Sequence, residues 1–92
     1  MAPIWTSSTA KHGVPRHDAQ YALLHPNYVR DLEHNDDGTV NRLFIGPAHA
    51  QTTRELEVIV RIAIDGSGRE AVVFHVMQLG PKFRRLREEN PR

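Results

Sequence analysis

The chain has 92 residues, of which 25% are charged and 39% hydrophobic, with six histidines and no cysteine. That suffices for a single domain, residues 1–92, with one modest core. It excludes disulfides and zinc sites built on thiolates. No apolar run approaches the roughly 18 to 20 residues of a membrane span. Met1 to Ser8 also lacks the basic start and apolar stretch of a signal peptide, so a cytoplasmic protein with no membrane partner is expected.

The net charge of +1 hides an asymmetry. Residues 82–92 hold five cations against two carboxylates, whereas residues 1–81 hold seven against nine. A basic tail on a slightly acidic body can reach phosphates or an acidic protein, or simply remain solvated.

Trp5 to His12 reads as a short helix capped among Thr6, Ser7 and Ser8 and closed by Gly13. Pro15 to Leu24 reads as a second helix, opened by proline and ended at His25-Pro26. Tyr28 to Leu32 is the first expected strand, before the turn-rich Asn35-Asp36-Asp37-Gly38. Arg42 to Ile45 is the second, broken by Gly46-Pro47 and followed by a loop to about residue 53. The third and fourth strands, 56–65 and 71–79, flank the hairpin signal Asp65-Gly66-Ser67-Gly68. Gly80-Pro81 stops the last strand, and Lys82 to Glu89 forms a short basic helix or tail. The expected fold is α+β: two short N-terminal helices on one face of a four-stranded antiparallel sheet, the other face open.

Alternation assigns the faces. Leu43 and Ile45, then Leu56, Val58, Val60 and Ile62, then Val72, Phe74 and Val76 form three apolar sets. If these share one core, Arg42, Phe44, Glu57, Arg61 and His75 meet on the opposite face. That places a carboxylate, two guanidiniums, an imidazole and an aromatic ring together.

No His-x3-His pair falls on a convincing helix, so a metal site is not expected and no cofactor is implied. His75 interrupts an apolar strand. Its imidazole, with an intrinsic pKa of about 6.5, suits general acid or base work; a half-buried structural histidine is the competing reading. Glu57 and Arg61 can equally pair with neighbouring charges. With Arg42, two arginines can clamp a phosphate and stabilise its transition state. Phe44 or Tyr28 can stack on an unpaired base. RNA cleavage would then use Glu57 or His75 as the base, Arg42 and Arg61 as the clamp, and His12 or Lys82 as a supporting donor. Glycine-rich phosphate loops and nucleophile elbows are absent from the sequence.

Trp5, then Lys11-His12-Gly13-Val14 leading into a helix with Ala19 and Ala22, resembles the N-terminal pattern of BrnT-type toxins. The strands Arg42-Leu43-Phe44-Ile45-Gly46, Leu56 to Ile64 and Val73-Phe74-His75-Val76-Met77 continue the resemblance in order, over most of residues 5–83. The resemblance implies a RelE-like fold and a toxin that cleaves RNA, arrests translation and is neutralised by a cognate, DNA-binding antitoxin. It also implicates Lys11 and His12, Arg42, and the end of the fourth strand. There BrnT-type chains usually carry Ser-Ala-Arg-Lys or Ala-Arg-Pro-Lys, whereas this chain reads Met77-Gln78-Leu79-Gly80-Pro81-Lys82 and keeps only the lysine.

The expectation is therefore a metal-independent endoribonuclease toxin. Its catalytic residues would be Arg42, Glu57, Arg61 and His75, and its RNA contacts Lys11, His12, Phe44 and Lys82. A non-catalytic RNA-binding or protein-interaction module is the alternative.

Overall fold

The computed structural model describes residues 3–91; Met1, Ala2 and Arg92, the last a charge of the basic tail, lie outside them. The chain opens with a two-residue strand, β1 (Ile4–Trp5), and a 3₁₀ helix (Ser7–Ala10), followed by helix α1 (Arg16–Leu24). Four strands come next: β2 (Tyr28–His34), β3 (Thr39–Pro47), β4 (Glu55–Ala63) and β5 (Val72–Gln78). Helix α2 (Pro81–Glu89) closes it.

The expected four-stranded antiparallel sheet with two N-terminal helices, and with it the RelE-like arrangement, does not hold. The sheet is five-stranded and mixed, ordered β1-β5-β4-β3-β2, with β1 parallel to β5 and the other pairs antiparallel. One α-helix lies between β1 and β2, and the other is C-terminal. The first expected helix is instead a strand and a single 3₁₀ turn. The Ile4 amide donates to the Ala71 carbonyl at 2.8 Å and the Thr6 amide to that of Val73 at 3.1 Å, covering the edge of β5. The Thr9 hydroxyl then bonds the Thr6 carbonyl at 2.8 Å, the local competition by which Ser and Thr disfavour a longer helix.

Both faces of the sheet carry a core. On one, Ala19 and Ala22 of α1 cover Leu56, Val58, Val60, Val73 and Val76, with Phe44 and Ile62 packed around them. On the other, Phe83 and Leu86 of α2 cover Tyr28, Leu43, Ile45 and Ile59, with Phe74 beside them. The face expected to be open is thus partly roofed by α2.

The two-sided core explains why alternation misassigned the register. Leu43 pairs with Ile59 and Ile45 with Glu57, while Phe44 pairs with Val58 and Arg42 with Val60. Opposite residues share a face, so Leu43 and Ile45 join the α2 side and Val58 and Val60 the α1 side. Leu56 to Val60 of β4 are all buried, so alternation alone does not say which of its two sets shares a face with Leu43 and Ile45. In β5 a bulge adds a second error. Ile59 pairs with His75 but Val60 with Val73, leaving Phe74 as the extra residue. Phe74 therefore turns to the α2 side with His75, not to the Val73 and Val76 side.

Gly46-Pro47 was expected to break the second strand, yet both lie within β3, paired with Leu56 and Glu55. The glycine answers a steric demand. A Cβ at Gly46 would stand 2.5 Å from the Ala22 carbonyl oxygen and 3.0 Å from its Cα, so α1 rests directly on the β3 backbone.

Candidate acid–base site at the β5 edge

The register divides the expected catalytic group in two. Arg42 and Phe44 lie on the α1 side and Glu57, Arg61 and His75 on the α2 side, so the anticipated two-arginine clamp does not form. Arg42 is also committed to another group: its Nε donates to Asp31 Oδ1 across the strand at 2.6 Å. That hydrogen bond holds the Asp31 carboxyl below its ordinary value and raises the guanidinium's affinity for its proton. Phe44 is packed into the α1 core, and Tyr28 is buried with its hydroxyl donated to the Asn90 carbonyl at 2.6 Å. Tyr28 is thereby closed to a base, and Phe44, half-buried against α1, lies on the opposite face from His75.

Glu57 and His75 do come together. Glu57 is 4% exposed, on the central strand β4. Its Oε2 lies 2.7 Å from His75 Nε2, and its Oε1 accepts the Gly80 amide at 2.8 Å. One carboxylate thereby orients the imidazole and fastens the start of α2. A carboxylate only accepts, so the proton of the first bond sits on Nε2. Nδ1 of His75 makes no further hydrogen bond among the described residues, and the side chain keeps 27% of its surface exposed.

The 3₁₀ segment brings in a third group. The Ser8 hydroxyl donates to the Phe74 carbonyl at 2.7 Å, pinning that turn beside β5 just beyond its pairing with β1. The chain then carries His12 to His75, with ring centroids 5.8 Å apart and planes at 71°. The result is a row of buried carboxylate, half-buried imidazole and exposed imidazole, ordered from the sheet interior outward.

Three cations of the expected site have no carboxylate partner among the described residues: Lys11, Arg61 and Lys82. Lys11 caps the 3₁₀ turn, next to His12. Arg61 lies one strand repeat beyond Ile59, and its guanidinium stands over the Phe74 ring at 5.2 Å. Lys82 occupies the first turn of α2, with its ammonium 5.3 Å from the Phe83 ring. No three His, Asp or Glu residues among those described are placed to hold a metal ion.

Of the expected site residues, Arg42 and Phe44 lie on the α1 side, whereas Glu57, Arg61 and His75 share the α2 side, with His12 beside His75, Lys11 preceding His12 and Lys82 in the first turn of α2. Sequence reasoning assigned Phe74 to the wrong face and so missed the aromatic ring that does line this side. Its only sequence signal is the break in β5 alternation, where Val73-Phe74 puts two bulky apolar residues side by side. Comparison with protein-family models, curated proteins and solved structures finds no match to this chain. No helix among the described residues is long and apolar enough to cross a membrane.

Proposed function

We propose that this protein is a metal-independent endoribonuclease of the cytoplasm, the toxin of a toxin–antitoxin pair, with Glu57, His75 and His12 as its acid–base row. The observation that carries the reading is the 2.7 Å bond from a buried carboxylate to an imidazole whose ring meets a second imidazole. The resemblance of Lys11-His12-Gly13-Val14 to BrnT-type toxins supplies the toxin class and the cognate antitoxin.

In this reading one imidazole removes the proton of a ribose 2′-hydroxyl. The 2′-oxygen attacks the adjacent phosphorus and the bond from phosphorus to the 5′-oxygen breaks. The other imidazole, entering protonated, gives its proton to that leaving oxygen. Glu57 fixes the tautomer and the orientation of His75. Of the two expected clamp arginines, Arg61 is the one that remains on this face to meet the charge on the phosphate.

A second reading has its own observation. Glu57 Oε1 also binds the Gly80 amide, so the Glu57–His75 pair can serve to hold α2 on a non-catalytic RNA-binding or protein-interaction module. One experiment separates them: purified protein incubated with single-stranded RNA in excess EDTA, beside expression in cells scored for growth arrest. Cleavage in EDTA that falls about 10²-fold or more in His12→Ala and His75→Ala supports the enzyme. Cleavage that needs added metal refutes the acid–base mechanism, and no cleavage in either condition with no growth arrest moves the assignment to the module.

A further inference from the structure

A groove of about 850 Å³ lies beside α2 on the face that carries His75. Its direction follows from the helix anchors. The first turn of α2 is tied to Glu57 on β4, and its last is tied to Tyr28 on β2. The helix therefore crosses the sheet from the β5 side toward β2, and the groove runs along its flank. Apolar surface from Leu32, Ile59, Phe74 and Leu86 forms much of the wall. The cations Lys82 and Arg85 stand on the helix side, and neither has a carboxylate partner among the described residues.

Charge is graded along its length. At the β5 end Lys82 enters the wall, and Phe74, adjacent to His75 in sequence, carries the guanidinium of Arg61 over its ring. At the β2 end the charges are Glu33 and Glu89. An anionic chain is attracted at the end nearest the imidazoles and repelled at the other.

We infer that this groove is a binding channel for unpaired nucleotides, which enter beside His75 and seat a base against the Arg61–Phe74 stack, with phosphates on Lys82 and Arg85. The inference rests on the RNA reading of the neighbouring site and deepens it by naming single-stranded RNA as the substrate. Guanidinium planes and aromatic rings accept any unstacked base, and basic rims follow the backbone. The volume lies within the 300–1,000 Å³ of ordinary ligand sites. The Phe74 ring in the wall with the Arg61 guanidinium over it, a platform for an unstacked base, favours RNA over the other anion such a rim attracts, an acidic peptide with apolar anchors.

The probe is a fluorescein-labelled single-stranded oligonucleotide with 2′-O-methyl groups, which lacks the nucleophile and so reports binding alone. Fluorescence anisotropy is read for wild type and for the triple variant Arg61→Ala, Lys82→Ala, Arg85→Ala. All three side chains are exposed, so the thermal midpoint serves as a folding control. The expected result is at least tenfold weaker binding in the variant and a salt slope shallower by about 0.7 for each phosphate that the variant no longer neutralises. Unlabelled single strands should displace the probe and blunt duplex should not. Equal affinity in wild type and variant overturns the channel, as does displacement by a leucine-rich acidic peptide but not by unlabelled RNA. Variant-sensitive binding without cleavage by wild type leaves the channel standing and removes the enzyme. Cleavage with variant-insensitive binding does the reverse.

Discussion

Glu57 holds two groups at once, and its removal releases both. Glu57→Ala leaves the Gly80 amide and the His75 Nε2 proton without their acceptor, in a position 4% exposed. Orphaned buried donors cost roughly 1 to 3 kcal/mol each, so this variant should lose stability as well as activity. His12 is exposed, and His12→Ala should change stability by no more than about 0.5 kcal/mol while RNA cleavage falls by about 10² or more. Urea midpoints measured beside cleavage rates test the contrast; a collapsed midpoint in His12→Ala would make that ring structural. Arg42 gives the opposite expectation. Its partner is Asp31 on the α1 side, so Arg42→Ala should leave cleavage unchanged and lower stability by about 1 kcal/mol or less. Abolished cleavage in a stable Arg42→Ala protein would contradict the division of the two faces.

Among the elements, α1 is positioned by the absence of a side chain. Ala19 and Ala22 are fully buried, and Gly46 lets the Ala22 backbone rest on β3. Gly46→Ala must push the helix outward, an overpacking that costs about 1 to 3 kcal/mol. In a domain of this size that lowers the thermal midpoint by about 4 to 8 °C per kcal/mol, measurable by circular dichroism. An unchanged midpoint would mean α1 is not tightly seated.

Helix α2 is held differently, by charge at its last turn. Arg87 donates to both oxygens of Glu55, at 2.8 and 2.9 Å. The Arg87 hydrogen bond holds the Glu55 carboxyl below its ordinary 4.5. A carboxylate depressed on folding contributes stability that is complete above the ordinary value and disappears as pH falls through the folded one. The loss should therefore begin below about pH 4.5 and deepen toward lower pH. Screening limits the pair to about 1 kcal/mol or less. Urea unfolding from pH 7 to pH 3 should show a shallower decline for Arg87→Ala than for wild type, and equal slopes would assign the acid sensitivity elsewhere.

For the molecule as a whole, the sheet needs a cover on each face. Phe83, 8% exposed, is the main apolar anchor of α2 on Tyr28, Leu43, Ile45 and Ile59. Truncating a buried phenylalanine costs about 3 to 5 kcal/mol. Small domains have only about 5 to 15 kcal/mol in total. Phe83→Ala should thus lower the thermal midpoint steeply, and a wild-type midpoint would show that the second core is dispensable.

The α+β class, α1 and four of the five strands to within a few residues are legible in the sequence, because proline, glycine and period-two alternation act locally. The sequence also marked Glu57 and His75, since a charge and an imidazole inside apolar strands are legible without a partner. The second core had a trace too, in Ile59 at a position alternation gave to solvent, and in Phe83 and Leu86 three apart. Only the tertiary structure decided which residues share a face. A β4 buried on both faces permits two registers, and the one adopted depends on two helices distant in sequence. The β5 bulge at Phe74 and the parallel pairing of Ile4 and Trp5 are likewise set by long-range hydrogen bonds that no local pattern encodes. Those pairings removed Arg42 and Phe44 from the site and set His12 beside His75.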